Sequence, residues 1–137
     1  MSFLLDTNVL SELGKKRPNA RVVEWLDAQD RLSLFTSVLV IGELAAGAFS
    51  HPDRLIRNRY LDFIETVLQR WLGPRVLPVS RQAAMEWARI CTQAGRTLPV
   101  MDSLIAATAA AHGLTLVTRN AADFEHLGVP LFDPWSP

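Results

Sequence analysis

Four carboxylates stand where an α/β chain does chemistry. Asp6 ends the apolar run Phe3-Leu4-Leu5, Glu43 lies inside the otherwise apolar stretch Leu32 to Phe49, and Asp102 opens a segment of small residues. Asp123 follows the run Leu114 to Val117, after Thr118 and Asn120. Carboxylates brought together repel one another, and burial raises their pKa values, so a fold that gathers them needs something to neutralise them. None of the three histidines, His51, His112 and His126, is placed for that role. An all-oxygen donor set selects a hard cation, Mg²⁺ or Mn²⁺. Such a cation keeps its waters, binds phosphate oxygens and activates water for phosphodiester hydrolysis. Each acid also has a structural reading on its own. Asp6 or Asp102 can cap a helix, Asp123 can be a solvated turn residue, and Glu43 can sit in a buried ion pair with an arginine.

The elements that would position these acids alternate between strand and helix. Phe3 to Leu5, Leu32 to Phe35, Val76 to Val79, Leu114 to Val117 and Val129 to Phe132 read as short buried strands. Helices are expected over Val9 to Leu13 with Thr7-Asn8 as cap, over Arg21 to Ala28, and after a Thr36-Ser37 cap. A longer helix runs from Pro52-Asp53 to about Leu72, with Leu55, Tyr60, Phe63, Ile64, Val67, Leu68 and Trp71 on a helical period. Ser80 caps another, with Ala84, Trp87, Ala88 and Cys91 on one stripe. The last helices are Leu104 to His112, started by Asp102-Ser103, and the short piece Ala121 to Glu125. The alternation predicts an α/β fold, a parallel sheet of about four to five short strands with helices on both faces. Open parallel sheets bind ligands beyond the carboxyl ends of their strands. Asp6, Thr118, Asn120 and Asp123 fall there, and Asp102 and Glu43 fall at or near the starts of helices.

Composition narrows the class. With 137 residues the chain is expected to be one domain, residues 1–137. Hydrophobic residues at 49% and charged residues at 20% exclude a disordered tail. The single cysteine, Cys91, excludes a disulfide framework and a cysteine zinc site. Glu43 interrupts the longest apolar stretch, which argues against a membrane span. No targeting segment is visible, so the expected location is cytoplasmic.

At these same residues the sequence resembles the PIN domain family. Phe3-Leu4-Leu5-Asp6-Thr7-Asn8-Val9-Leu10-Ser11-Glu12 is similar to the family's opening motif, and Ile41-Gly42-Glu43-Leu44 to its second acidic motif. Leu98 to Ala107, around Asp102, resembles the third, and Leu116 to Phe124, around Asp123, the last. The likeness points to VapC-type and FitB-type toxins of bacterial toxin–antitoxin pairs. It implies a three-layer α/β/α fold and a metal-dependent endoribonuclease, with Asp6, Glu43, Asp102 and Asp123 as the catalytic and metal-binding acids. Thr118 and Asn120 would be accessory polar residues. It also implies a homodimer and a cognate antitoxin whose tail covers the active-site groove, in a complex that can sit on operator DNA.

An RNA substrate favours a basic surface, yet 14 Lys+Arg balance 14 Asp+Glu. Lysine occurs only at Lys15 and Lys16, so arginine supplies most of the positive charge, and arginine grips phosphate bidentately. Arg119, between Thr118 and Asn120, and Arg96, a short loop before Asp102, are the candidate RNA contacts. Trp25, Trp71 and Trp87 are expected in the core or a dimer interface, and Cys91 in the core. Trp135 is expected to pack over a sheet edge or stack on a base. Two other classes fit less well. An aspartyl phosphatase usually needs a second acid two residues after its nucleophile, where this chain has Asn8. A receiver domain needs a late lysine, and both lysines precede residue 17. A catalytically idle PIN-fold partner that only binds an antitoxin is the remaining alternative, disfavoured by the intact set of four acids.

Overall fold

The computed structural model describes residues 1–137. Its centre is a five-stranded sheet in the order β3-β2-β1-β4-β5, with every pairing parallel. The strands are β1 (Phe3–Leu5), β2 (Leu34–Ser37), β3 (Val76–Leu77), β4 (Thr115–Val117) and β5 (Leu131–Phe132). The helices are α1 (Thr7–Leu13), α2 (Ala20–Ala28), α3 (Val38–Phe49), α4 (Arg54–Asp62), α5 (Gln69–Leu72), α6 (Arg81–Ala94), α7 (Val100–Ala111) and α8 (Ala121–Phe124). Parallel strands require crossovers, and helices supply them on both faces, so the inner strands are mainly apolar. β1 is accordingly Phe-Leu-Leu with all three residues buried. Leu4, Leu5, Leu10, Ile105, Leu116 and Phe124 are among the fully buried core side chains.

The expected α/β architecture holds, and the differences have local causes. β2 begins at Leu34 rather than Leu32. Asp30 caps a 3₁₀ turn over Arg31–Ser33 through the Leu32 amide at 2.9 Å, which leaves Leu32 exposed. β2 also runs on through Thr36 and Ser37, and Ser37 then caps α3 by accepting from the Leu39 amide at 3.0 Å. The helix expected from Pro52-Asp53 to Leu72 is not continuous. Asp53 caps α4, but Phe63–Leu68 is a π-helix before α5 resumes. The wider turn shifts the buried face to Ile64, Leu68 and Leu72, and Leu55, Tyr60 and Val67 face solvent. On α6 the buried residues are Ala83 and Ile90, with Trp87 and Cys91 half-buried beside them; Ala84 and Ala88 are exposed. α7 starts at Val100, with Pro99 preceding it, so Asp102 and Ser103 lie inside its first turns rather than before it. The Ser103 hydroxyl donates back to the Pro99 carbonyl at 2.8 Å and accepts the Trp87 indole N–H at 3.0 Å, joining α6 to α7. No helix is long and apolar enough to cross a membrane.

Candidate active site

The sheet order places a topological switch point between β1 and β4. From β1 the chain runs first to β2 on one side and returns later to β4 on the other. In open α/β sheets the crevice beyond the strand ends at this point is where ligands bind. Asp6 is the first residue after β1, and Thr118 the first after β4. Their backbones are pinned: the Asp6 amide donates to the Val117 carbonyl and the Thr118 amide to the Phe132 carbonyl, each at 3.0 Å.

Asp6 is 6% exposed and uses both carboxylate oxygens. Oδ1 accepts the Thr7 amide at 2.8 Å, which caps α1. Oδ2 accepts the Thr118 hydroxyl at 2.7 Å. The cap reading of Asp6 is therefore correct, and the side chain is also tied to the end of β4. Thr118 is a hub: its Oγ1 also accepts from the Asn8 side-chain amide at 3.2 Å and from the Asn120 backbone amide at 3.1 Å. Asn8 closes the ring by accepting the Arg119 amide at 3.1 Å. The β1–α1 and β4–α8 turns are thus fastened together by side chains 110 or more residues apart.

Glu43 reaches the site from the second turn of α3. Thr7 holds it, donating its hydroxyl to Oε1 at 2.5 Å. The ion pair with an arginine does not form; the only side-chain ion pairs are Lys15–Glu12 and Arg89–Glu86. Asp102 comes from the first turn of α7, where a carboxylate is favoured by the helix dipole. Asp123 comes from the first turn of α8 and is exposed. Thr7 and Asn8 are the residues that sequence reasoning misassigned, as caps. The cap is Asp6, and nothing in the local pattern links Thr7 to a glutamate 36 residues later.

Electrostatics ties the four acids together. Burial raises the Asp6 pKa; the Thr118 hydroxyl and Thr7 amide work against the rise, and the charges of Glu43 and Asp102 add to it. Burial also raises Asp102, reinforced by Glu43 and Asp123. The acids form a repelling series, Asp6 to Glu43 to Asp102 to Asp123, with no cation paired to any of them. No three of them are drawn into a ready-made metal cage. Beside them, a cavity of about 340 Å³ runs from Thr7 and Glu43 to Tyr60, Phe63 and Ile64. Of the candidate RNA contacts, Arg119 is exposed just after Thr118 and stacks over Trp135, 5.4 Å from the ring centroid. Arg96 is exposed in the α6–α7 turn and makes no ion pair.

The family model for the PIN domain matches residues 3–129. The chain belongs to the PIN domain family. Its relatives include the VapC ribonuclease Y4jK of Sinorhizobium fredii, 36% identical over 98% of this chain and 99% of that one. Toxin FitB of Neisseria gonorrhoeae is 34% identical over 97% of this chain and 98% of its own. Among solved structures, FitAcB from Neisseria gonorrhoeae superposes with a TM-score of 0.89 at 33% identity, covering 98% of this chain and 99% of the other. DNA-bound VapBC from Salmonella typhimurium gives 0.82 at 28%, covering 98% of both chains. The PIN resemblance read from the four acidic segments therefore holds, and so does the three-layer fold.

Proposed function

We propose that residues 1–137 form a single PIN domain that acts as the toxin of a toxin–antitoxin pair, a divalent-metal-dependent endoribonuclease hydrolysing RNA phosphodiester bonds. The observation that carries the reading is the buried Asp6 at the switch point, raised in pKa and facing the charges of Glu43 and Asp102. A fold keeps such a repelling set where a cation relieves it. The donors are all carboxylate oxygens, which fits Mg²⁺ or Mn²⁺. Asp6 and Asp102 would hold the cation, with Glu43 and Asp123 in support. When bound, it supplies a more acidic water and charge relief at the phosphate. The chain's own residues do the positioning. Thr118 fixes Asp6, Thr7 fixes Glu43, and Asn8 and Asn120 hold Thr118. In this reading water attacks the phosphodiester and no covalent intermediate is needed.

The relatives named as ribonucleases and the toxin–antitoxin complexes among the structural neighbours support this role and a cognate antitoxin as partner. The antitoxin tail would lie in the cavity between Tyr60, Phe63 and Glu43, with operator DNA bound by the complex. A homodimer in the cytoplasm completes the reading. The test is cleavage of total cellular RNA by antitoxin-free protein with Mn²⁺, with Mg²⁺ and with chelator, beside Asp102→Asn. Discrete fragments that require metal and Asp102 are expected. Fragments that persist in chelator or in the variant would overturn the metal mechanism, and a folded, metal-binding protein that cuts nothing would favour the idle partner.

A further inference from the structure

The reaction proposed above brings a polyanion to a cluster of four carboxylates, in a chain with no net positive charge. Positive charge must therefore be local. The α1–α2 loop carries Lys15, Lys16 and Arg17 in succession, which includes both lysines of the chain. All three are exposed. Lys15 lines the same cavity as Thr7 and Glu43, so the loop begins at the pocket rim. Lys15 is committed to Glu12 at 3.0 Å, but Lys16 and Arg17 have no carboxylate partner. Arg119 lies on the same side of the molecule: its backbone amide donates to Asn8, one turn before Glu12 on α1, and Glu12 is the carboxylate that Lys15 pairs with. Its backbone is held by Asn8, and its guanidinium rests on Trp135. Trp135 is fixed in turn, since Asp133 accepts the Trp135 amide at 2.8 Å and the Ser136 hydroxyl at 3.1 Å. Stacking restrains a long side chain without neutralising it, leaving its donors free for phosphate.

We propose that Lys16, Arg17 and Arg119, with Lys15 at the rim of the cavity beside Glu43, form the strip that holds the backbone of single-stranded RNA as it approaches the four acids, and that Trp135 positions Arg119 within it. This assignment rests on the ribonuclease reading. Arg96 is not part of the strip.

The test is fluorescence anisotropy of a short, labelled, mixed-sequence single-stranded RNA over a KCl series, with every protein carrying Asp102→Asn so that the RNA stays whole. Each phosphate contact contributes about 0.7 to the slope of log affinity against log salt for a single strand. Lys16→Glu with Arg17→Glu is expected to weaken binding by about tenfold or more and to lower the slope by about 1.4. The matched control, Arg70→Glu with Arg81→Glu beside the β3 edge, is expected to stay within about twofold of the parent. Trp135→Ala should remove about one contact from the slope, Trp135→Phe should restore part of it, and Trp135→Ala should have no further effect once Arg119 is alanine. Equal losses in the strip variant and the control would overturn the strip. An equal loss from Trp135→Ala with and without Arg119 would overturn the positioning role. A loss seen with a poly-glutamate peptide but not with RNA would assign the loop to an acidic protein and overturn the proposal. If the wild-type chain cuts RNA while the strip variants bind as the parent does, only the strip fails. If no chain binds or cuts RNA, the ribonuclease reading fails with it.

Discussion

Helix α1 has a buried carboxylate at each end, and the two are held in opposite ways. Asp6 caps the N-terminus at 6% exposure, and Glu12 is the penultimate residue at 5%. Burial pushes both pKa values up. At Glu12 it is outweighed by the Lys15 ammonium and the Asn19 amide, each at 3.0 Å, and by the charges of Lys15 and Arg119, so the net shift is downward. At Asp6 the hydrogen bonds from Thr118 and Thr7 do not offset burial, and the nearest charges are those of other acids, so the shift is upward. The two shifts run in opposite directions because the partners of Glu12 outweigh its burial and those of Asp6 do not. Glu12 is a completed structural device that fastens the α1–α2 loop. Asp6 has hydrogen-bond donors but no cationic partner, and under the proposed function a bound cation would fill that place.

The contrast can be broken or sharpened by substitution. The largest effect is expected from Asp6→Asn. Asparagine caps a helix as well as aspartate does, so the fold should survive, while metal-dependent cleavage should fall by more than the 10–100-fold typical of outer-shell changes. Assays of RNA cleavage beside a thermal melt check both halves. Thr7→Val comes next. It removes the hydroxyl that orients Glu43, and about 10–100-fold should be lost in Mn²⁺ affinity or cleavage with little change in stability. Glu12→Gln should do the reverse. It breaks the Lys15 pair, whose ammonium is solvent-exposed, and chemical denaturation should show a loss of about 0.5–1 kcal/mol with metal binding intact.

The smallest effect is the most diagnostic in sign. Asp102 shares the condition of Asp6 and accepts no hydrogen bond from a side chain, so Asp102→Asn should raise the Tm of the metal-free protein by a few degrees at most. A folded-state pKa raised above its ordinary value of 3.8 means that the ionised form is the disfavoured one. The stability from this group is present below that value and is lost as pH rises through the raised pKa. The advantage of Asp102→Asn should therefore be present at pH 7 and disappear below about pH 4. Glu12, lowered from 4.5, works the other way: its stabilisation is present above that value and lost as pH falls through the lowered pKa. Melts of both variants across pH check the opposite slopes.

Much of this was legible in the sequence because the relevant signals are local. Apolar triplets followed by a polar cap mark β1 and β4, and the alternation of strand with helix gives the parallel sheet. The position of Asp6, Thr118 and Asn120 beyond the strand ends followed from those two facts. What was not legible depends on distant partners. The Thr7 hydroxyl on Glu43 and the Asn8 amide on Thr118 exist only once the sheet order is set. The π-helix at Phe63–Leu68 escaped because its apolar residues fit an unbroken helical period equally well, and only packing shows which of them turn outward. The exposure of Ala84 and Ala88 escaped for a related reason: small residues mark a close approach without saying on which side of α6 it occurs.

The central claim is that the acid at one end of α1 waits for a cation and the acid at the other does not. Calorimetric titration of Mn²⁺ into the wild-type chain, Asp6→Asn and Glu12→Gln tests it most directly. The expected result is stoichiometric binding to the wild type and to Glu12→Gln, and its loss in Asp6→Asn. Unchanged binding in Asp6→Asn, or its loss in Glu12→Gln by a folded protein, would contradict the account.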